Sequence, residues 1–216
     1  MKNILLIVAA IFCFSATQAQ QDTKAKEILD KLASVTKTYK TIKAEFVSVH
    51  DNTQKNTHET KNGTVTMKGE KYKLAFMGSE IFCNGKTMWT YMKDAAEVNI
   101  RNINQDKQSE LNPAKLLTIY NDNYKYKFID EKTDGGKTVY EIDLYPNKPA
   151  EKTYSRVKLL IDKAKMQITS IKTFGKDGNN FTINIQKFIT DEEIKDDIFT
   201  FNEKNYPGVE VIDLRE

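Results

Sequence analysis

The sequence predicts a mainly β fold of the α+β kind, in which a curled antiparallel sheet forms an incomplete barrel covered by a few helices. Three observations predict it. From Ile42 onward apolar and polar residues alternate with a period of two, the signature of strands with one face buried. The alternating runs are separated by short Asn-, Asp- and Gly-containing turns, as hairpins require. Only two segments carry the three- and four-residue spacing of an amphipathic helix.

The chain opens with an export signal. Lys2 supplies the positive start, Ile4 to Phe14 the apolar stretch, and Ser15 to Ala19 the small-residue cleavage site. Residues 1–19 are therefore expected to be removed, leaving 20–216 as a single exported domain outside the cytoplasm. The apolar run is too short for a membrane anchor, which needs about 18 residues. Phe12 before Cys13 does not suit a lipoprotein signal. Cleavage takes Cys13 away and leaves Cys83 alone, so the fold must be held by its core and not by a disulfide. Loss of Lys2 lowers the formal charge from +3 to +2, a balance that gives no reason to expect a nucleic-acid partner.

The first mature element is a helix over Lys24–Lys40. Ala25, Ile28, Leu29, Leu32, Val35 and Tyr39 form its apolar stripe, and Asp22 or Thr23 can cap it. Thr41–Asp51 and His58–Met67 form a hairpin around a polar loop. Lys71–Met77 alternates cleanly, with Tyr72, Leu74 and Phe76 on one face and Lys71 and Lys73 on the other. Glu80–Cys83 and Lys86–Met92 flank Asn84-Gly85, which predicts a type I′ turn with positive φ at both residues. On the second of these strands Thr87, Trp89 and Tyr91 share one face. Val98–Ile103 follows as a strand. Asn112-Pro113 then starts a second helix, Pro113–Tyr120, with Leu116 and Leu117 apolar. Strands resume at Tyr124–Glu131, Lys137–Tyr145, Tyr154–Asp162, Gln167–Phe174 and Asn180–Phe188, and a tail from Ile198 through Pro207-Gly208-Val209 closes the chain.

Little in this inventory supports catalysis, a metal or a cofactor. His50 and His58 flank one hairpin loop and could hold a metal with Asp51 and Glu59, but the loop is exposed and lacks ligand spacing. Cys83 follows Ile81 and Phe82 and reads as a packed small hydrophobe. Asp196-Asp197 reads as a turn. More suggestive is the apolar set Phe46, Val65, Tyr72, Leu74, Phe76, Trp89, Tyr91, Phe174, Phe181 and Ile183 on alternating positions. A large curled sheet with two covering helices has more concave surface than the helices fill, and such a hollow suits an apolar ligand.

Several stretches together resemble the outer-membrane lipoprotein carrier family, LolA. Asn84-Gly85-Lys86-Thr87-Met88-Trp89-Thr90-Tyr91 resembles its D-G-K-x-x-W-x-Y hairpin. Ala44-Glu45-Phe46, Asn112-Pro113 with Leu116-Leu117, and Leu144-Tyr145-Pro146 follow in the family's order. Asp177-Gly178-Asn179 with Phe188, Ile198-Phe199-Thr200-Phe201 and Pro207-Gly208-Val209-Glu210-Val211 complete the set. The resemblance implies a non-enzymatic periplasmic carrier, monomeric and not inserted in a membrane, that binds lipoprotein acyl chains in a half-barrel lidded by helices. Its implied partners are acylated lipoproteins, an inner-membrane release complex and an outer-membrane acceptor. The expected cavity lining is Phe46, Leu74, Phe76, Trp89 and Tyr91, with Leu32 and Leu117 on the covering helices. Family members carry an Arg-Pro pair near Lys68-Gly69 whose arginine bonds the lid; here Lys68 is the nearest cation and is assigned the lid contact, without the arginine's planar fork. The alternative reading is a sensor or interaction module of the same architecture, binding lipid or peptide in the envelope.

Overall fold

A computed structural model describes residues 23–103 and 124–215. Contacts divide the chain into two compact units, one comprising the described residues of Met1–Thr36 and Tyr120–Asn180, the other those of Lys37–Ile119 and Phe181–Glu216. The predicted second helix, Pro113–Tyr120, with Leu116 and Leu117, lies outside the described residues.

The first unit pairs one helix with antiparallel strands. The helix α1 covers residues 23–38 and buries Ala25, Ile28, Leu29 and Leu32, the stripe its spacing predicts. Strands β7 (Tyr124–Asp134), β8 (Lys137–Pro146), β9 (Tyr154–Asp162) and β10 (Gln167–Gly175) lie in the order β10-β9-β8-β7. Register pairs Phe128 with Ile142, Ile142 with Leu159, and Leu144 with Val157, so these residues share one face. Ile142, Leu144, Val157, Leu159 and Ile161 are all 0% exposed, and each such side chain contributes roughly 1.5–3 kcal/mol. Lys24 Nζ sits 3.8 Å from the Phe128 ring, which places the first turn of α1 on this face. On the opposite face, Glu141 is bound by Lys132 and Lys158, and Asp143 by Arg156 at 2.7 Å.

The second unit comprises β1 (Ile42–Asn52), β2 (Thr57–Lys68), β3 (Lys71–Phe76), β4 (Ser79–Cys83), β5 (Thr87–Met92), β6 (Glu97–Asn102), most of β11 (Asn179–Thr190) and β12 (Glu210–Asp213). Their order is β12-β6-β5-β4-β3-β2-β1-β11. Strands β1 to β6 form successive antiparallel hairpins, and their predicted positions agree with those observed to within a residue or two. Among the described residues β7 has only β8 beside it and β12 only β6.

Two local expectations are corrected. The Asn84-Gly85 turn is not type I′: Gly85 has φ 90°, but Asn84 is not among the residues of positive φ. The Asn84 side chain decides the turn, because its Oδ1 accepts from the Lys86 and Thr87 amides at 3.0 and 2.9 Å, an Asx turn that needs no positive φ at the asparagine. The tail after Pro207-Gly208 is also more than a closing segment. β12 runs parallel to β6, pairing Val211 with Val98, a pairing that alternation over four residues does not announce.

Candidate functional site

Register assigns each side chain of the second unit to a face. Phe46 pairs with Gly63 and Gly63 with Phe76; Val65 with Leu74 and Leu74 with Ile81; Met67 with Tyr72 and Tyr72 with Cys83. Directly paired residues point to the same side, so these form one apolar face. Ile42, Ala44, Phe46, Val65, Met67, Tyr72, Leu74 and Cys83 are its buried centre, while Tyr39, Phe76, Ile81, Ile103, Ile183, Ile185 and Phe188 pack around it only partly buried. Gly63 is required here. The Phe46 ring lies over it, so that an added Cβ would stand 2.2 Å from Cζ, and the ring meets Phe76 at a centroid distance of 5.6 Å.

The expected lining is split by this register. Trp89 pairs with Phe82, and Tyr91 with Glu80. Phe82 in turn pairs with Lys73 and Glu80 with Ala75, positions of opposite parity to Leu74 and Phe76. Trp89 and Tyr91 therefore lie on the other face of the sheet from Phe46, Leu74 and Phe76, and the register does not gather the five on one face. The alternation within each strand is legible from sequence, but matching parity from strand to strand depends on turn lengths that add or omit one residue.

That other face is occupied by the chain's own carboxy-terminal segment. Rings of Phe82, Tyr91, Phe201 and Tyr206 cluster there, with Tyr91 and Tyr206 at 4.5 Å and Phe201 and Tyr206 at 4.6 Å between centroids. Phe199, in a 3-10 turn over Asp196–Phe199, is 0% exposed. Tyr206 donates to Glu80 Oε2 at 3.1 Å; burial, then the Glu80 charge, push its phenol up to about 12.

Lys68, assigned to the lid by the resemblance, has its described partners in the same arrangement. Its Nζ donates to the Ile194 carbonyl at 2.9 Å and to Asp196 Oδ1 at 2.8 Å, and Lys71 reaches Asp196 Oδ2 at 2.6 Å. Hydrogen bonds first from Lys68 and then from Lys71 lower the Asp196 carboxyl to about 2. The parity of Lys68, opposite to Met67, turns it toward the carboxy-terminal segment. Asp196 thus opens a short helical turn and serves as an anchor.

The remaining sequence candidates fall as follows. Leu32 is 1% exposed on α1, so it has no surface to offer a ligand in this conformation. Leu117 lies outside the described residues. His50 pairs with Glu59 and Asp51 with His58, which turns the two imidazoles to opposite faces. His50 stacks on Phe181 at 4.4 Å, and His58 Nδ1 contacts Asp51 Oδ1 at 2.6 Å. Among the described residues no group of three or more His, Cys, Asp or Glu could hold a metal ion. The Cys83 thiol points at the Glu70 carbonyl, 3.8 Å away, and burial pushes its pKa up, which suppresses the thiolate. A hollow of about 620 Å³ is bordered by Phe46, Phe76 and Tyr91, but also by Glu45, Glu80 and Lys93. Its charged walls make it a poor refuge for a hydrocarbon chain. The apolar face of β1–β4 is the better candidate for binding.

The sequence model of the family described as outer membrane lipoprotein carrier protein LolA matches residues 15–179. No curated protein sequence matches the chain. Among solved structures, an uncharacterized conserved protein from Thermus thermophilus superposes with a TM-score of 0.61 at 11% identity, over 88% of this chain and 99% of the other. MucB superposes with a TM-score of 0.50 at 12% identity, over 83% of this chain and 63% of the other. A LolA superfamily protein from Nitrosomonas europaea aligns at 12% identity with a TM-score of 0.43, over 82% and 97% of the two chains.

Proposed function

The chain belongs to the outer membrane lipoprotein carrier protein LolA family, and from that premise we propose that it is a periplasmic carrier that takes up the acyl chains of lipoproteins released from the inner membrane and passes them to an acceptor at the outer membrane. The observation that carries this reading is the apolar face of β1–β4. There Phe76 and Ile81 of these strands, with Tyr39, Ile183, Ile185 and Phe188, remain only partly buried around a fully apolar centre. A surface of this kind can trade its exposure for contact with a hydrocarbon chain. Each methylene kept from water contributes about 0.8 kcal/mol, so an acylated polypeptide crosses an aqueous space only when its chains are covered. The face binds by dispersion and displacement of water and needs no catalytic group. No helix among the described residues is long and apolar enough to cross a membrane, and we take the export signal as the route to the periplasm.

The test is displacement of a fluorescent fatty acid from the purified mature chain, together with mass spectrometry of material that co-purifies from the periplasm. Ile81→Glu and Ile183→Glu place charges on the margin of the apolar face and are expected to abolish probe binding. Thr87→Glu, on the opposite face, is expected to leave it intact. Protein that is reproducibly empty and ignores the probe overturns the carrier reading.

A further inference from the structure

The polar face of the first unit holds a feature that acyl binding does not use. Two adjacent rows of side chains cross β7–β10 on this face. One row contains Lys125, Tyr145, Arg156 and Phe174: Lys125 pairs with Tyr145, and Arg156 with Phe174. In the next row Lys127 pairs with Asp143, Asp143 with Lys158, and Lys158 with Lys172. These eight positions carry five cations against the single carboxylate of Asp143. At the usual strand spacing the rows extend about 15 Å across the sheet.

Depth sorts the charges. Asp143 is 1% exposed and receives Arg156 at 2.7 Å and the Tyr145 hydroxyl at 3.3 Å. In the following row Glu141, 4% exposed, lies beneath Lys132 and Lys158. Within the two basic rows the carboxylate is thus the floor and the cations the outer layer, so the field that solvent meets over these rows is positive, while the adjoining Glu141 row carries the exposed Asp130. Lys125, Lys127 and Lys172 enter no ion pair among the described residues. The aromatic members, Tyr145 and Phe174, lie within the basic rows. The Phe174 ring has the Arg156 guanidinium at 4.0 Å and Lys172 Nζ at 5.3 Å from its centroid, and Tyr145 is 38% exposed. α1 packs on the opposite face of these strands, where Lys24 meets Phe128, and leaves this one uncovered by the helix.

We propose that this basic, aromatic-bearing sheet face docks reversibly on an anionic lipid bilayer surface. A broad sheet face suits a surface more than it suits a threaded polymer. Lysine and arginine at its outside match anionic headgroups, and tyrosine suits the headgroup level. With few charges the attraction is weak and screened by salt, as a protein that must leave the surface again requires. The contact is independent of what the apolar face of the second unit binds.

Sedimentation of the mature chain with vesicles tests it. Vesicles of phosphatidylethanolamine with phosphatidylglycerol are expected to bind the protein at low salt and release it at high salt, while phosphatidylcholine vesicles bind little. At roughly a fivefold effect for each removed charge, the variant Lys125→Gln/Lys127→Gln/Lys172→Gln is expected to lose about 150-fold in partitioning, with fatty-acid probe affinity and circular dichroism unchanged. Should the triple variant fail to fold, Lys125→Gln/Lys172→Gln is expected to lose about thirtyfold. Equal binding to neutral vesicles, retention by the variants, or binding of soluble polyphosphate without binding of anionic vesicles overturns the proposal. Loss of probe binding with vesicle binding intact would count against the carrier reading alone.

Discussion

Replacing Gly63 by alanine tests how the apolar face of the second unit is assembled. A Cβ at this position would stand 2.2, 2.6 and 2.9 Å from three atoms of the Phe46 ring, all closer than real side chains approach. The backbone cannot yield readily, because β2 is paired on both sides, Gly63 with Phe46 and with Phe76. The ring must swing instead. In doing so it leaves its contact with Phe76, at 5.6 Å between centroids, and part of the burial that holds it at 8% exposure. Overpacking of this kind costs about 1–3 kcal/mol, and the lost aromatic pair adds about 0.5–1.5. Against this stands about 0.5–1 kcal/mol for replacing a flexible glycine in a strand. The expected result is a net destabilisation of about 1–3 kcal/mol, read as a lower urea midpoint with unchanged slope. The decisive measurement is a double-mutant cycle with Phe46→Ala. Once the ring is gone the added methyl has nothing to strike, so Gly63→Ala should then be neutral or slightly stabilising. An equal cost in both backgrounds would refute the view that the ring sits on the glycine.

Other consequences concern the carboxy-terminal segment and α1. Asp196 is held near 2 in the fold against an ordinary 3.8, so its stabilising contribution is present above about 4 and is lost as pH falls from there through 2. Hydrogen exchange over residues 196–206 should accelerate in that window, and Asp196→Asn should remove the pH-dependent step; a step that persists in the variant would exclude this anchor. The Tyr206 phenol, pushed up from 10.0 to about 12, favours the fold while neutral, and that contribution is lost as pH rises from 10 through 12. Ultraviolet titration should show a late-ionising tyrosine that Tyr206→Phe removes and Glu80→Gln shifts downward. Leu32→Ala should cost about 2–5 kcal/mol by urea unfolding, since the side chain is 1% exposed. A near-neutral result would mean that Leu32 is not a core residue.

The chain's local organisation was legible because period and turn chemistry are local. The spacing of Ala25, Ile28, Leu29 and Leu32 located the helix and its buried stripe, and strict alternation placed Tyr72, Leu74 and Phe76 together. Strand positions followed because Gly, Asn and Asp interrupt alternation wherever the backbone turns. What remained hidden depends on contacts distant in sequence. Trp89 and Tyr91 alternate as cleanly as Leu74, yet only the β3–β4 and β4–β5 registers show that they face the other way. Lys68 was recognisable as a cation at a telling position, but its partners, Ile194 and Asp196, lie 126 and 128 residues away. β12 is four residues long and exists because β6 offers it an edge. The basic rows across β7–β10 likewise exist only after four separate strands align in register. Periodicity tells which residues share a side of one strand, whereas tertiary pairing alone decides which sides of different strands become one surface.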